Sequence, residues 1–169
     1  FGNFAKGVPF NGTIPPQFGA LANLTHLQLW STKLSGTIPP EIGGLINLSK
    51  FVVVNNPSLS GTIPPQINGM AKLTWLQLYG LSSLNGTLPP QIGGWTNLET
   101  WYFGNQTKIS GTIPPQISGM TKLSILYLLN DQNLSGTIPP QISSLTSLTQ
   151  FLISNFPASK LAGTIPPQI

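Results

Sequence analysis

One phrase, Gly-Thr-Ile/Leu-Pro-Pro, recurs seven times in 169 residues, with its glycines at Gly12, Gly36, Gly61, Gly86, Gly111, Gly136 and Gly163. The spacings are 24, 25, 25, 25, 25 and 27 residues, and fourteen of the seventeen prolines lie in these pairs. A period of that length is the signature of a stacked array. Each unit is too small to bury its own apolar side chains, so it buries them against the next.

The apolar residues hold fixed offsets within the period. One column reads Leu24, Leu48, Leu73, Leu98, Leu123 and Leu148. Three residues on comes Leu27, Phe51, Leu76, Trp101, Leu126 and Phe151, and two further Leu29, Val53, Leu78, Phe103, Leu128 and Ile153. An apolar pair two residues apart, flanked by other residue types, is the period of a strand. Later columns are Leu34, Leu59, Leu84, Ile109, Leu134 and Leu161, and then the Ile or Leu of each Gly-Thr-Ile/Leu-Pro-Pro. Ile42, Ile67, Ile92, Ile117 and Ile142 follow, with Leu45, Met70, Trp95, Met120 and Leu145 behind them. The Pro-Pro pair removes two backbone donors and is expected to keep its segment out of a helix. The glycine before it is expected to permit a tight bend.

The segment Asn23 to Leu45, NLTHLQLWSTKLSGTIPPEIGGL, resembles the plant-type, extracellular leucine-rich repeat, roughly LxxLxLxxNxLxGxIPxxLGxL. The resemblance runs through essentially the whole chain. It implies an α/β repeat solenoid with a parallel β-sheet on one face. It further implies short second strands at Gly-Thr-Ile-Pro-Pro and 3₁₀ or short helical turns opposite. The chain divides as a single array over 1–169, with a partial first repeat at 1–22, about six repeats of 24–27 residues and a truncated end without caps. Open solenoid ends expose apolar cross-section, so caps outside this stretch or a neighbouring subunit are expected.

The sequence departs from the family where an asparagine normally follows the strand. That column reads Thr32, Asn56, Leu81, Gln106, Asp131 and Phe156, so the usual asparagine ladder is broken. Extra residues fall at the same place (NNPS, GLSS, GNQTK, NDQN, SNFPASK), and loops are expected to bulge along one edge.

Charge excludes several function classes. Only 6% of the residues are charged, against about 25% in an ordinary soluble domain. The net charge of +4 comes from seven scattered lysines and no arginine, which is not a nucleic-acid surface. There is no cysteine, hence no disulfide and no thiolate ligand. No apolar run approaches the ~20 residues of a membrane span. Catalysis has little to stand on: His26 is the only histidine, and Glu41, Glu99 and Asp131 are the only carboxylates. Glu41 and Glu99 are three coils apart, about 14 Å at strand spacing, too far for a glycosidase pair. The expectation is a protein with no catalytic residues, no metal and no cofactor.

The remaining candidates are surfaces and modifications. Six N-glycosylation sequons begin at Asn11, Asn23, Asn47, Asn85, Asn105 and Asn133, and imply secretion with attached glycans. The prolines Pro15, Pro16, Pro39, Pro40, Pro64, Pro65, Pro89, Pro90, Pro114, Pro115, Pro139, Pro140, Pro166 and Pro167 form a ladder that hydroxylation and glycosylation would be able to use. A strict threonine column runs Thr13, Thr37, Thr62, Thr87, Thr112, Thr137 and Thr164. It suits β-branched stacking between coils, and it also suits ice binding, although a proline column flanks it in sequence. The outward main-sheet positions Trp30, Val52, Val54, Trp75, Tyr79, Tyr102, Tyr127, Leu129 and Leu152 make an apolar and aromatic face with little charge. Such a face marks an interaction surface. The expected function is a non-enzymatic, extracellular, glycosylated scaffold at a cell surface or wall, assembling with itself or binding another protein or carbohydrate. A ligand-recognition ectodomain or wall-associated inhibitor is the alternative, and an ice-binding protein the third.

Overall fold

The computed structural model describes residues 11–105, 108–130, 133–154 and 160–161. The chain coils along one axis, and each coil has three sides. The first is a five-residue strand: His26–Trp30, Lys50–Val54, Trp75–Tyr79, Thr100–Gly104, Ile125–Leu129 and Gln150–Ser154. These pair in parallel, each with the strand one repeat away, in one six-stranded main sheet. The register joins Leu27, Phe51, Leu76, Trp101, Leu126 and Phe151 in a single row, so the period of 24–25 residues is the register of the sheet.

The second side carries shorter strands, including Asn11–Thr13, Lys33–Thr37, Leu59–Gly61, Ser83–Thr87 and Lys108–Ser110, which form a second parallel sheet. These strands end at or before the threonine and do not run through Pro-Pro. The physical reason is that proline cannot donate to a ladder. The third side is a 3₁₀ turn in each coil: Pro16–Ala20, Pro40–Gly44, Pro65–Gly69, Pro90–Gly94, Pro115–Gly119 and Pro140–Ser144. Here the sequence expectation for Pro-Pro is corrected. The first proline is extended (φ −65 to −72°) and caps the turn, while the second opens it. At the first helical position the missing N–H is one that would lack a partner anyway, and the fixed φ is already helical.

The columns read from the sequence form one continuous core. Leu48, Phe51, Leu73, Leu76, Leu98, Leu123 and Leu126 are fully covered, and Trp95 and Trp101 are 1% exposed. The coils approach most closely on the 3₁₀ side. A Cβ on Gly43 would stand 2.0 Å from the Gln66 carbonyl oxygen, and one on Gly69 2.3 Å from that of Gly43. Glycine is therefore required there by the closeness of the next coil.

The residue after each of the first five main strands is left-handed. Ser31, Asn55, Asn105 and Asn130 have φ between 48 and 58°, and Gly80 has φ 68°. Each donates its N–H to the next coil, for example Asn55 to the Tyr79 carbonyl at 2.9 Å. The column that matches the family's asparagine follows directly. Asn56 is fully buried, accepts from the Thr32 hydroxyl, and donates to the carbonyls of Leu29 and Val54 at 3.0 Å each. Leu81 occupies the same place one coil later and is also buried. Gln106, Asp131 and Phe156 lie outside the described residues.

Candidate functional site

Each coil turns two strand surfaces outward. On the main sheet, alternation sends Leu27 and Leu29 inward and leaves His26, Gln28 and Trp30 outward, and the same holds in each later coil. The outward positions bring together side chains that lie 23 to 27 residues apart. The Lys50 ammonium stands 4.5 Å from the ring centre of Trp75. Trp75 lies 5.6 Å from Tyr102, and Tyr102 meets Tyr127 edge to face at 4.9 Å. The Tyr127 hydroxyl donates to the Gln150 side-chain oxygen. A linked strip thus crosses the strands of five coils, with Lys50 the one full charge in it.

The other members of the face fall in different places. Trp30 is 53% exposed and Leu152 45%, the most open apolar residues on it, while Tyr79 and Leu129 are half-buried. Val52 and Val54 are 0% and 5% exposed. Val54 is flanked in register by Trp30 and Tyr79, and Val52 by Gln28 and Gln77. Both valines support the surface without forming it. Thr100, which the sequence reading passed over, is also buried here, in register between Trp75 and Ile125.

The second sheet presents a surface of another kind. Thr13, Thr37, Thr62, Thr87, Thr112 and Thr137 are all exposed, and Thr164 lies outside the described residues. Their outward neighbours on the strand are the residues two places earlier: Asn11, Ser35, Asn85 and Ser110, which are exposed, and Ser60 and Ser135, which are half-buried. The intervening glycine takes φ between 73 and 113°, and the residues on either side of it, two apart along the strand, share the outward face. The register sets each threonine beside the serine of the next coil, as in Thr13 with Ser35, Thr37 with Ser60 and Thr87 with Ser110. The serines donate back to glycine carbonyls of the preceding coil: Ser35 to Gly12 at 3.3 Å, Ser60 to Gly36 at 3.0 Å, Ser110 to Gly86 at 3.3 Å and Ser135 to Gly111 at 3.2 Å. The methyls of Thr13, Thr37, Thr62, Thr87 and Thr112 fill the space a Cβ would need on the next coil's glycine, with Thr37 Cγ2 2.7 Å from that point on Gly61. The serine row was visible in the repeated Ser-Gly-Thr, since residues two apart on a strand share a face.

The modification candidates separate by exposure. Asn11 and Asn85 stand in the serine row, Asn23 is exposed ahead of a main strand, and Asn105 is exposed in the left-handed turn. Asn47 is half-buried with its amide donating to the Ala22 carbonyl at 2.8 Å, and Asn133 is half-buried. Of the prolines, Pro39, Pro64, Pro89, Pro114 and Pro139 are buried, whereas Pro15, Pro16, Pro40, Pro65, Pro90, Pro115 and Pro140 are exposed. Pro166 and Pro167 lie outside the described residues.

His26 is exposed and its Nδ1 lies 2.9 Å from the Thr25 hydroxyl. Glu41 and Glu99 are exposed on different sides of the coil, and Asp131 is outside the described residues. Among the described residues no three of His, Cys, Asp or Glu gather as a metal would need, and no helix is long and apolar enough to cross a membrane.

The leucine-rich-repeat family model matches residues 23–45, which make one coil of the stack that the rest of the described chain repeats. The chain is a leucine-rich-repeat solenoid of the plant type. Its coils superpose on a TDR receptor with TM-score 0.79 and 31% identity, covering 86% of this chain and 25% of that one. The Arabidopsis receptor kinase HAESA, solved with the peptide hormone IDA and a co-receptor, gives 0.70 and 28%, covering 82% and 23%. A plant ice-binding protein gives 0.66 and 29%, covering 79% and 42%. The leucine-rich-repeat chain thus spans a quarter to less than half of the length of these relatives. No curated protein matches it in sequence.

Proposed function

We propose that this leucine-rich-repeat chain is a non-enzymatic extracellular recognition scaffold, N-glycosylated and secreted, whose main-sheet face binds an extended segment of a partner protein. The observation that carries the reading is the strip Lys50–Trp75–Tyr102–Tyr127. Aromatic rings that already touch one another supply contact area at little further cost in side-chain entropy, which is the pattern of a binding hot spot. The one charge in the strip sits over a ring, so an occupant need not neutralise a buried ion. Similar ectodomains solved with bound peptide hormones support the choice of partner. Exposed sequons and a surface with few charges support an extracellular setting.

A selection from a random peptide library tests this. Wild-type protein is expected to enrich a consensus peptide whose affinity falls at least tenfold on Tyr102→Ala and stays unchanged on Gln91→Lys, an exposed position on the 3₁₀ side. Failure to enrich any consensus, or peptides indifferent to Tyr102, rejects it.

A second reading, ice binding, is favoured by the exposed, uncharged Ser-Gly-Thr face and by the likeness to a plant ice-binding protein. Protein that supercooled ice leaves wholly in the liquid ends that reading.

A further inference from the structure

We infer that the ice-contacting surface is the second sheet's threonine and serine rows, and that the sequon at Asn85 is a modification site able to block it. The inference rests on the ice-binding reading and adds to it the face, the residues and a means of control.

Ice is neutral and periodic, and it rewards a surface whose groups repeat without rotamer disorder. The second sheet has the required features. Its two outward rows carry hydroxyls, methyls and amides and no charge of their own; the exposed Lys33 and Lys108, in register beside Asn11 and Asn85, are the charges that border them. Neighbouring strands lie about 4.8 Å apart, close to the oxygen repeat along the a axis of hexagonal ice, and at that step the register sets each threonine beside the next coil's serine, while successive threonines are offset by two residues along the strand. The rows are also held still. The methyls of Thr13, Thr37, Thr62, Thr87 and Thr112 are each seated over the glycine of the next coil, which selects one rotamer. The Ser35, Ser60, Ser110 and Ser135 hydroxyls donate to glycine carbonyls, so their lone pairs face outward as acceptors in a repeated direction. Water ordered on such a row inherits its period. The main sheet has no comparable rows: its outward positions at the strand centre run Gln28, Val52, Gln77, Tyr102, Tyr127 and Leu152.

Asn85 replaces serine in the middle of the row, is exposed, and opens a sequon with Thr87. A glycan on its amide would stand between the Thr62 and Thr87 positions and hold any flat crystal plane away from both. The Asn11 sequon does the same at the edge of the described rows.

The test is the fraction of protein taken into slowly grown ice. It uses bacterially produced material, in which the sequons are unoccupied. Wild type is expected to be enriched in the ice. The double variant Thr62→Lys, Thr87→Lys is expected to fall to the level of a non-binding protein. Gln66→Lys, Gln91→Lys, with the same added charge on the 3₁₀ side, is expected to match wild type. Because the threonine variant could lose its fold, the same uptake is measured on protein made in a glycosylating host with Asn11→Gln in place, with and without Asn85→Gln. The protein that keeps Asn85 is expected to be excluded and the one with Asn85→Gln to be taken up. Wild-type exclusion from ice removes the ice-binding reading and this inference together. Uptake that survives both the threonine substitutions and the Asn85 glycan removes the assignment of the face and leaves the ice-binding reading standing.

Discussion

The two outward sheet faces of this solenoid share one core and one coil spacing, yet they are built on opposite rules. Along the main sheet no outward position keeps its residue: Trp30, Val54, Tyr79, Gly104, Leu129 and Ser154 occupy one row. Along the second sheet threonine never changes, and the row beside it is serine or asparagine at every described coil. A row that varies presents a different group at every coil, which suits a partner that is itself irregular, such as a peptide. A row that does not vary presents one group at a fixed step, and the glycines enforce it, because only glycine accepts the φ and leaves room for the methyl. The difference separates surface chosen residue by residue from surface produced by the repeat.

The largest test of this division asks whether the faces are independent. Trp101 packs against Trp95 at 6.3 Å and Phe103 at 6.1 Å, and its indole N–H has no hydrogen-bond acceptor among the described residues. Trp101→Ala should cost about 3–5 kcal/mol, read as a shift in the urea midpoint, and should loosen both faces, since neighbours couple along the array. Trp101→Phe should cost much less, because it removes an unpaired donor together with the smaller part of the ring system. Hydrogen exchange that loosens one sheet alone in Trp101→Ala would show that the faces do not share their support.

Asn56 sharpens the comparison at the corner between them. Asn56→Ala removes the amide that donates to the carbonyls of Leu29 and Val54 and the acceptor of the Thr32 hydroxyl, while the Val54 carbonyl keeps the Ser31 N–H at 2.8 Å. It should destabilise by about 1–3 kcal/mol, the cost of unsatisfied buried polar groups. Leu81→Asn, which restores the family residue in the next coil, should give no comparable gain unless the same partners are in reach there. Equal responses of the two positions in thermal melts would mean that the broken ladder has no energetic consequence.

These contrasts also show what was legible from residues alone. Leu48, Phe51 and Trp101 are found in the core because burial in a stack follows directly from the period. The parallel sheet follows for the same reason: a constant repeat length admits one register. The placement of Val52 and Val54 was not legible, since alternation gives the direction of a side chain and not what its neighbours cover. The serine row was not singled out because only the threonine column is strict in all seven repeats; its direction follows ordinary alternation, since Ser35 and Thr37 are two residues apart on one strand. The left-handed residues Ser31, Asn55, Gly80, Asn105 and Asn130 had a signal, an asparagine or glycine in four of five coils, hidden beneath the irregular inserts.

On the second face, Gly86→Ala should separate repetition from mere composition. Gly86 has φ 84°, and an added Cβ would stand 2.8 Å from the Thr62 methyl. Holding alanine in that backbone region costs on the order of 1–3 kcal/mol, so the coil should shift locally and tilt Thr62 and Thr87 out of their row. The expected result is a modest drop in melting temperature with ice uptake lost and peptide binding at Tyr102 retained. Loss of both activities would mean that the two faces move together.

The smallest effect is expected at Lys50, where the varied face is most easily tuned. The ammonium over Trp75 is a partly exposed cation–π contact, which contributes about 0.5–1 kcal/mol. Lys50→Gln keeps the stem and removes the charge, so the melting temperature should scarcely move. If the strip recognises a neutral peptide segment through its rings, affinity for the selected consensus should fall less than threefold, and salt should have little influence on it. If the peptide's affinity instead collapses on Lys50→Gln and weakens steeply with salt in the wild type, the lysine has left Trp75 to pair with an acidic group. The rings would then serve to orient that ion pair, and the variable face would read charge first and shape second.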